Sequence, residues 1–201
     1  MNSLNAFQLL NGLTFAALLF IVASGFTLIF GLLRIVNLAH GALYLLGGYA
    51  GYAAASASGN FFLGILAAMA VVAATGLVLD QGLLRFVRGY ELRQVLLTLG
   101  VAFILNDMTL VIFGGDTYTV PAPQFLRGAV RFSGMFYPKY RLFVLALGIL
   151  IFVALWLLLN KTRLGALIRA GVDDPETIEA MGINIRRIFL LTFMLGAALA
   201  G

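Results

Sequence analysis

A chain of 201 residues that is 62% hydrophobic and only 10% charged, with mean hydropathy +1.04, is too apolar to close over one water-soluble core. Its formal net charge of +5 comes from arginines in loops beside apolar runs, not from one basic face, so nucleic acid is not an expected partner. The absence of cysteine excludes disulfides, iron–sulfur clusters and cysteine-ligated zinc.

Apolar runs of about twenty residues recur, which predicts transmembrane helices that satisfy their own backbone hydrogen bonds. The runs do not alternate, so a β-barrel is excluded. The expected fold is all-α: a polytopic transmembrane helix bundle of about five full spans plus the start of a sixth, forming one domain over 1–201. Met1 to Gln8 carries no Lys or Arg, so no cleavable signal peptide is expected and the first span should be retained.

Span 1 is read over Leu9–Leu33, with Asn11, Thr14, Ser24 and Thr27 marking a face that packs against protein. Arg34–Asn37 is a break. Span 2 follows over Leu38–Ala57, where Gly47 and Gly51 form a GxxxG spacing suited to close helix packing. Ser58-Gly59-Asn60 is a tight turn before span 3, Phe61–Leu79. Asp80–Arg93 reads as an interfacial elbow whose arginines, Arg85, Arg88 and Arg93, reach lipid headgroups. Span 4 covers Gln94–Phe113. The interval Gly114–Tyr140 is broken by Pro121, Pro123, Gly128, Gly134 and Pro138, and alternation near Val130 and Phe132 allows a short hairpin. Span 5 is Arg141–Leu159. Span 6 starts near Ile188, and the remaining residues make about 21 Å of helix, short of a hydrocarbon core of about 30 Å.

Between spans 5 and 6 lies the longest polar interval, Asn160–Arg187. Asp173 and Asp174 are N-cap residue types, Pro175 suits the first helical turn, and Glu176 suits the positive end of a helix dipole. Glu179, Ala180 and Met181 continue the helix, and Gly182 is a natural stop. A helix of about two turns is therefore predicted, with Ile178 and Met181 on one face at i,i+3 spacing. It is either a solvated connector or a docking knob for a soluble partner.

Glu179-Ala180-Met181-Gly182, with Ile183 after it, resembles the EAA-type coupling loop of ABC-transporter permeases. The longer string Arg169-Ala170-Gly171-Val172-Asp173-Asp174-Pro175-Glu176, followed by Ala180 to Asn184, resembles the branched-chain amino acid permeases of the LivH type. Asn37-Leu38-Ala39-His40-Gly41 resembles the same family. The resemblance covers nearly the whole chain, and the 160–187 and 34–51 segments carry most of it. It implies a membrane subunit of an importer for branched-chain amino acids in a bacterial inner membrane. It further implies a homologous second permease, two cytoplasmic ATPase subunits, an extracytoplasmic substrate-binding protein, and alternating access driven through the 160–187 loop. Urea and short-chain amide permeases are similar, and are the alternative. Related permeases continue with more helices, so the chain resembles the first two-thirds of such a protein; a non-transporting remnant is the rival expectation.

Orientation follows from counting basic residues. Arg34, Arg85, Arg88, Arg93, Lys161, Arg163, Arg169, Arg186 and Arg187 fall on one side, against Arg127, Arg131, Lys139 and Arg141 on the other, which together make the 13 basic residues of the chain. The richer side should be cytoplasmic, placing the N-terminus outside and the 160–187 loop inside.

Two further groups stand out. His40, the single histidine, opens span 2 and fits either a pathway residue, with Asn37 and Gly41, or a packing imidazole bonded to a carbonyl or to Asn37. Asn106 and Asp107 lie within span 4 and fit either a polar pathway lining or interfacial hydration near the span's outer end. No phosphate-binding P-loop, metal-ligand set or paired carboxylates occur, so neither an enzyme nor a cofactor is expected, and ATP hydrolysis falls to separate subunits.

Overall fold

The computed structural model describes residues 3–132 and 135–201. Gly134, read above as one breaker of the 114–140 interval, lies outside them. The all-α reading holds. The helices are α1 (Ser3–Phe26), α2 (His40–Ser58), α3 (Phe61–Gly82), α4 (Glu91–Phe113), α5 (Lys139–Lys161), α6 (Arg163–Asp173), α7 (Pro175–Ala180) and α8 (Ile185–Ala198). Antiparallel strands β1 (Ala129–Phe132) and β2 (Met135–Pro138) form the hairpin, with Val130 opposite Tyr137.

Four helical stretches among the described residues are long and apolar enough to cross a membrane: Phe7–Gly31, Phe61–Phe86, Glu91–Phe113 and Lys139–Lys161. The expected five are thus four plus α2. Its 19 residues make about 28 Å of helix, long enough, but histidine, glycines and tyrosines hold its hydropathy below that of a span. α2 can be this polar because it packs between α3 and α4 instead of standing alone in lipid.

Small residues set the closest crossings. A Cβ on Gly64 of α3 would come within 2.8 Å of both the Ala55 Cβ and the Gly51 carbonyl oxygen of α2. One on Gly76 would meet the Ala197 Cβ of α8 at 2.8 Å. Without lipid-excluding hydrophobic drive, such backbone approach is what holds helices together in a bilayer. Gly47 faces Val72 of α3 and Gly201.

The loops gather at two ends. At one, the buried Tyr137 hydroxyl of β2 bonds Thr14 Oγ1 (2.8 Å) and the Leu10 carbonyl (3.0 Å) of α1. Phe61 and Phe62, just past the 58–60 turn, pack edge-on to Tyr140 and flat on Phe125 there. At the other end, Arg34, Arg88, Glu179 and Arg186 line one cleft of about 380 Å³. Arg34, Arg88 and Arg186, which the charge count puts on one side, thus share one end.

The elbow corrects one expectation. Arg88 does not reach outward. Its Nη2 donates to both carboxylate oxygens of Asp80, at 2.6 and 2.9 Å, and Asp80 is fully buried at the end of α3. A buried carboxylate needs a charged partner, and the nearest guanidinium is drawn in to supply it. Leu84 is buried in the same turn beside Ile29, Leu33, Ile35, Leu79 and Phe193.

Candidate functional site: a capped helical loop and a polar break

The 160–187 interval holds two helices, not one. α6 was not anticipated: Thr162 caps it by accepting from Gly165 N–H at 3.2 Å, and Leu164, Leu167, Ile168 and Gly171 mark its apolar face at helical spacing. Asp173 ends α6, so of the two aspartates only Asp174 is the cap of α7. Its backbone has left the helical region, its carboxylate accepts from the Thr177 N–H at 3.1 Å and from the Thr177 hydroxyl, and Pro175 follows at the first turn. The Thr177 hydroxyl, and then its N–H, hold the Asp174 carboxyl below its usual range, so the cap is charged at neutral pH.

The far end of α7 is a complete Schellman closure. Gly182 N–H bonds the Glu179 carbonyl at 2.9 Å, and Ile183 N–H bonds the Ile178 carbonyl at 3.3 Å. Gly182 sits at φ +79°, where a side chain is strained. Asn184 then caps α8 by accepting from Arg187 N–H at 3.1 Å.

The placing of Ile178 and Met181 on one face is corrected. Ile178 is 7% exposed and packs with Ile168, Ile185 and Ile188, whereas Met181 is 68% exposed. Met181 sits in the closing turn, past the last helical residue, so i,i+3 spacing no longer aligns the two. The isoleucine ties α7 rigidly to α6 and α8. The exposed surface is left to Pro175, Glu176, Thr177, Glu179, Ala180 and Met181.

The second feature is the non-helical segment between α1 and α2. The last turn of α1 widens to a π-helix over Thr27–Leu32, and Arg34 takes φ +53° to lead the chain out. The Arg34 and Ile35 N–H groups still reach back to the Phe30 and Ile29 carbonyls, but those of Val36, Leu38 and Ala39 have no helical partner, and side chains accept from them. Val36 N–H donates to Gln94 Oε1 and Leu38 N–H to Thr98 Oγ1, both at 3.0 Å, and Ala39 N–H donates to Asn37 Oδ1 at 3.1 Å. Gln94 and Thr98, one turn apart on α4, are residues the sequence reading missed; two polar side chains on one face of an apolar span were the available signal.

Asn37 is fully buried and His40 is 6% exposed. His40 Nε2 lies 3.2 Å from the Val22 carbonyl, which only accepts, so the proton sits on Nε2. That leaves His40 Nδ1 as an acceptor and Asn37 Nδ2 as a donor, both buried without a partner among the described residues. Gly41 is exposed beside them. Asn106 and Asp107 are exposed on α4, about two turns beyond Thr98, and the structure does not bring them to the break.

The model of the family described as "Branched-chain amino acid transport system / permease component" matches residues 8–201. The high-affinity branched-chain amino acid transport system permease protein BraD of Pseudomonas aeruginosa is 28% identical over 96% of this chain and 67% of its own length. The corresponding permease protein LivH of Escherichia coli is 25% identical over the same shares. A probable branched-chain amino acid transport permease protein LivH of Methanocaldococcus jannaschii is 40% identical over 26% of this chain and 17% of its own. The chain thus spans about two-thirds of the length of BraD and of the Escherichia coli LivH. No solved structure matches it.

Proposed function

Since the chain belongs to the family of branched-chain amino acid transport system permease components, we propose that it is the membrane-spanning subunit of an ATP-driven importer of branched-chain amino acids. Its partners are a homologous second permease, two cytoplasmic ATPase subunits and an extracytoplasmic binding protein. The membrane is the bacterial inner membrane. The chain itself performs no hydrolysis.

The observation that carries this reading is α7, a helix of only 6 residues, closed at both ends, with Met181 projecting into solvent and Glu179 exposed at the cleft it shares with Arg34, Arg88 and Arg186. A helix so short is not stable alone, so its two caps and its isoleucine seat serve to hold that outward surface in place. A surface of this kind suits a groove on an ATPase subunit. In the mechanism we infer, the closing ATPase pair displaces α7. Ile178 passes the displacement to Ile185 and Ile188 of α8. Phe193 of α8 packs on Ile29, Leu33 and Ile35, the residues leading into Asn37 and His40. The buried polar break then changes its exposure between the two faces of the membrane.

Two outcomes test the placement and the pathway. On this cysteine-free background, Gly128→Cys should be labelled by an impermeant maleimide in intact cells, and Thr177→Cys only after permeabilisation. Labelling of Thr177→Cys from outside contradicts the topology. His40→Leu should reduce leucine uptake by roughly tenfold or more, with membrane levels near those of the parent, as expected for loss of one buried hydrogen-bonding group at a working site. Unchanged uptake would make His40 a packing residue.

A further inference from the structure

The elbow between α3 and α4 carries two arginines that the proposed coupling does not use. Arg88 is taken inward by Asp80, and Leu84 is buried, so the turn is held in one conformation. Arg85 and Arg93 remain exposed. The Arg85 guanidinium lies 4.5 Å from the centre of the Phe86 ring, and that of Arg93 lies 4.2 Å from the centre of the Tyr90 ring. Each guanidinium is thus held over a ring and makes no hydrogen bond or ion pair among the described residues, which leaves N–H donors for an acceptor such as phosphate. Asp80 is consumed within, and Glu91 of the elbow shares a cleft with Arg88 and with Glu179 of α7, set apart from the edges of Arg85 and Arg93, which do not line it.

An apolar stripe continues directly from the arginines. Leu92, Leu96, Leu99 and Phe103 recur along one face of α4 at three- and four-residue spacing, and Leu92, Leu96 and Phe103 are 72%, 61% and 62% exposed. The stripe is about 17 Å long. Half of a hydrocarbon core of about 30 Å is about 15 Å. Asn106 and Asp107, both exposed, interrupt this face about 21 Å from Leu92, past that half. A cationic rim at headgroup level joined to an apolar track one leaflet deep has the chemistry of a lipid at both ends.

We propose that the elbow and this face of α4 bind an anionic phospholipid, with its phosphate engaged by Arg85 and Arg93 and an acyl chain along Leu92, Leu96 and Phe103. The two cation–π pairs orient the guanidiniums before the lipid arrives, so little side-chain ordering is left to binding.

Native mass spectrometry of the purified chain, with equimolar phosphatidylglycerol and phosphatidylcholine, tests this. The parent should retain phosphatidylglycerol several-fold over phosphatidylcholine. Arg85→Gln with Arg93→Gln should bring the ratio close to parity, each single change should lower it partway, and Arg127→Gln with Arg131→Gln at the opposite end should leave it unchanged. Equal retention of the two lipids by the parent would overturn the proposal. So would a preserved preference in the elbow double variant, or loss of co-purifying ATPase from that variant with lipid retention intact, which would make the elbow a protein contact.

Discussion

Gly182→Val should abolish the stimulation of ATP hydrolysis by this subunit while leaving the chain in the membrane. The Cβ of a substituted residue meets nothing within 4 Å, so sterics against neighbours play no part. The strain is in the backbone: φ is +79°, and a β-branched residue there costs roughly 1–2 kcal/mol or more. The cheapest relief is to open the closing turn, which releases the Gly182–Glu179 and Ile183–Ile178 hydrogen bonds and swings Met181. The transmembrane helices do not depend on that turn. Glu179→Lys reaches the same surface by another route, reversing an exposed charge at the cleft shared with Arg34, Arg88 and Arg186. Both should lower ATPase co-purification and stimulated hydrolysis by roughly tenfold or more, the scale of a lost interface anchor. Gly182→Asn, which tolerates positive φ, should retain most of the activity. Normal co-purification and hydrolysis in both damaging variants would reduce this loop to a connector.

Arg88→Met should be the most destabilising single change in the elbow. It strands the fully buried Asp80 carboxylate. Removing one partner of a buried pair costs about 3–5 kcal/mol, a cost that falls when the survivor is neutralised. Arg88 is itself 31% exposed, so the converse change, Asp80→Asn, should cost less because the guanidinium turns to water. Thermal unfolding in detergent should therefore rank Arg88→Met lowest, with Asp80→Asn combined with Arg88→Met recovering most of the loss. Equal stability of Arg88→Met and the parent would show that the pair does not hold the elbow.

These cases mark what could be read in the sequence. Asp174, Pro175 and Gly182 announce α7 because caps are local: each acts on the next few residues, and no distant contact changes its meaning. The span lengths are legible for the same reason. Ile178 was misjudged because the partner of an apolar residue is not local. α6 and α8 seat it inward, and neither helix's approach is written next to it. Arg88 failed likewise: an arginine in an amphiphilic elbow points to headgroups unless a buried acid claims it, and burial of Asp80 is a property of the bundle. Gln94 and Thr98 look like weak polar interruptions until the break between α1 and α2 supplies the N–H groups they accept from.

The most direct measurement is ATP-driven leucine uptake into proteoliposomes holding this chain with the second permease, ATPase and binding protein of its own system. Uptake that needs ATP, and that disappears when this chain alone is omitted, is the predicted result. Uptake that persists without the chain, or a complete assembly that hydrolyses ATP and moves no leucine, would contradict the account.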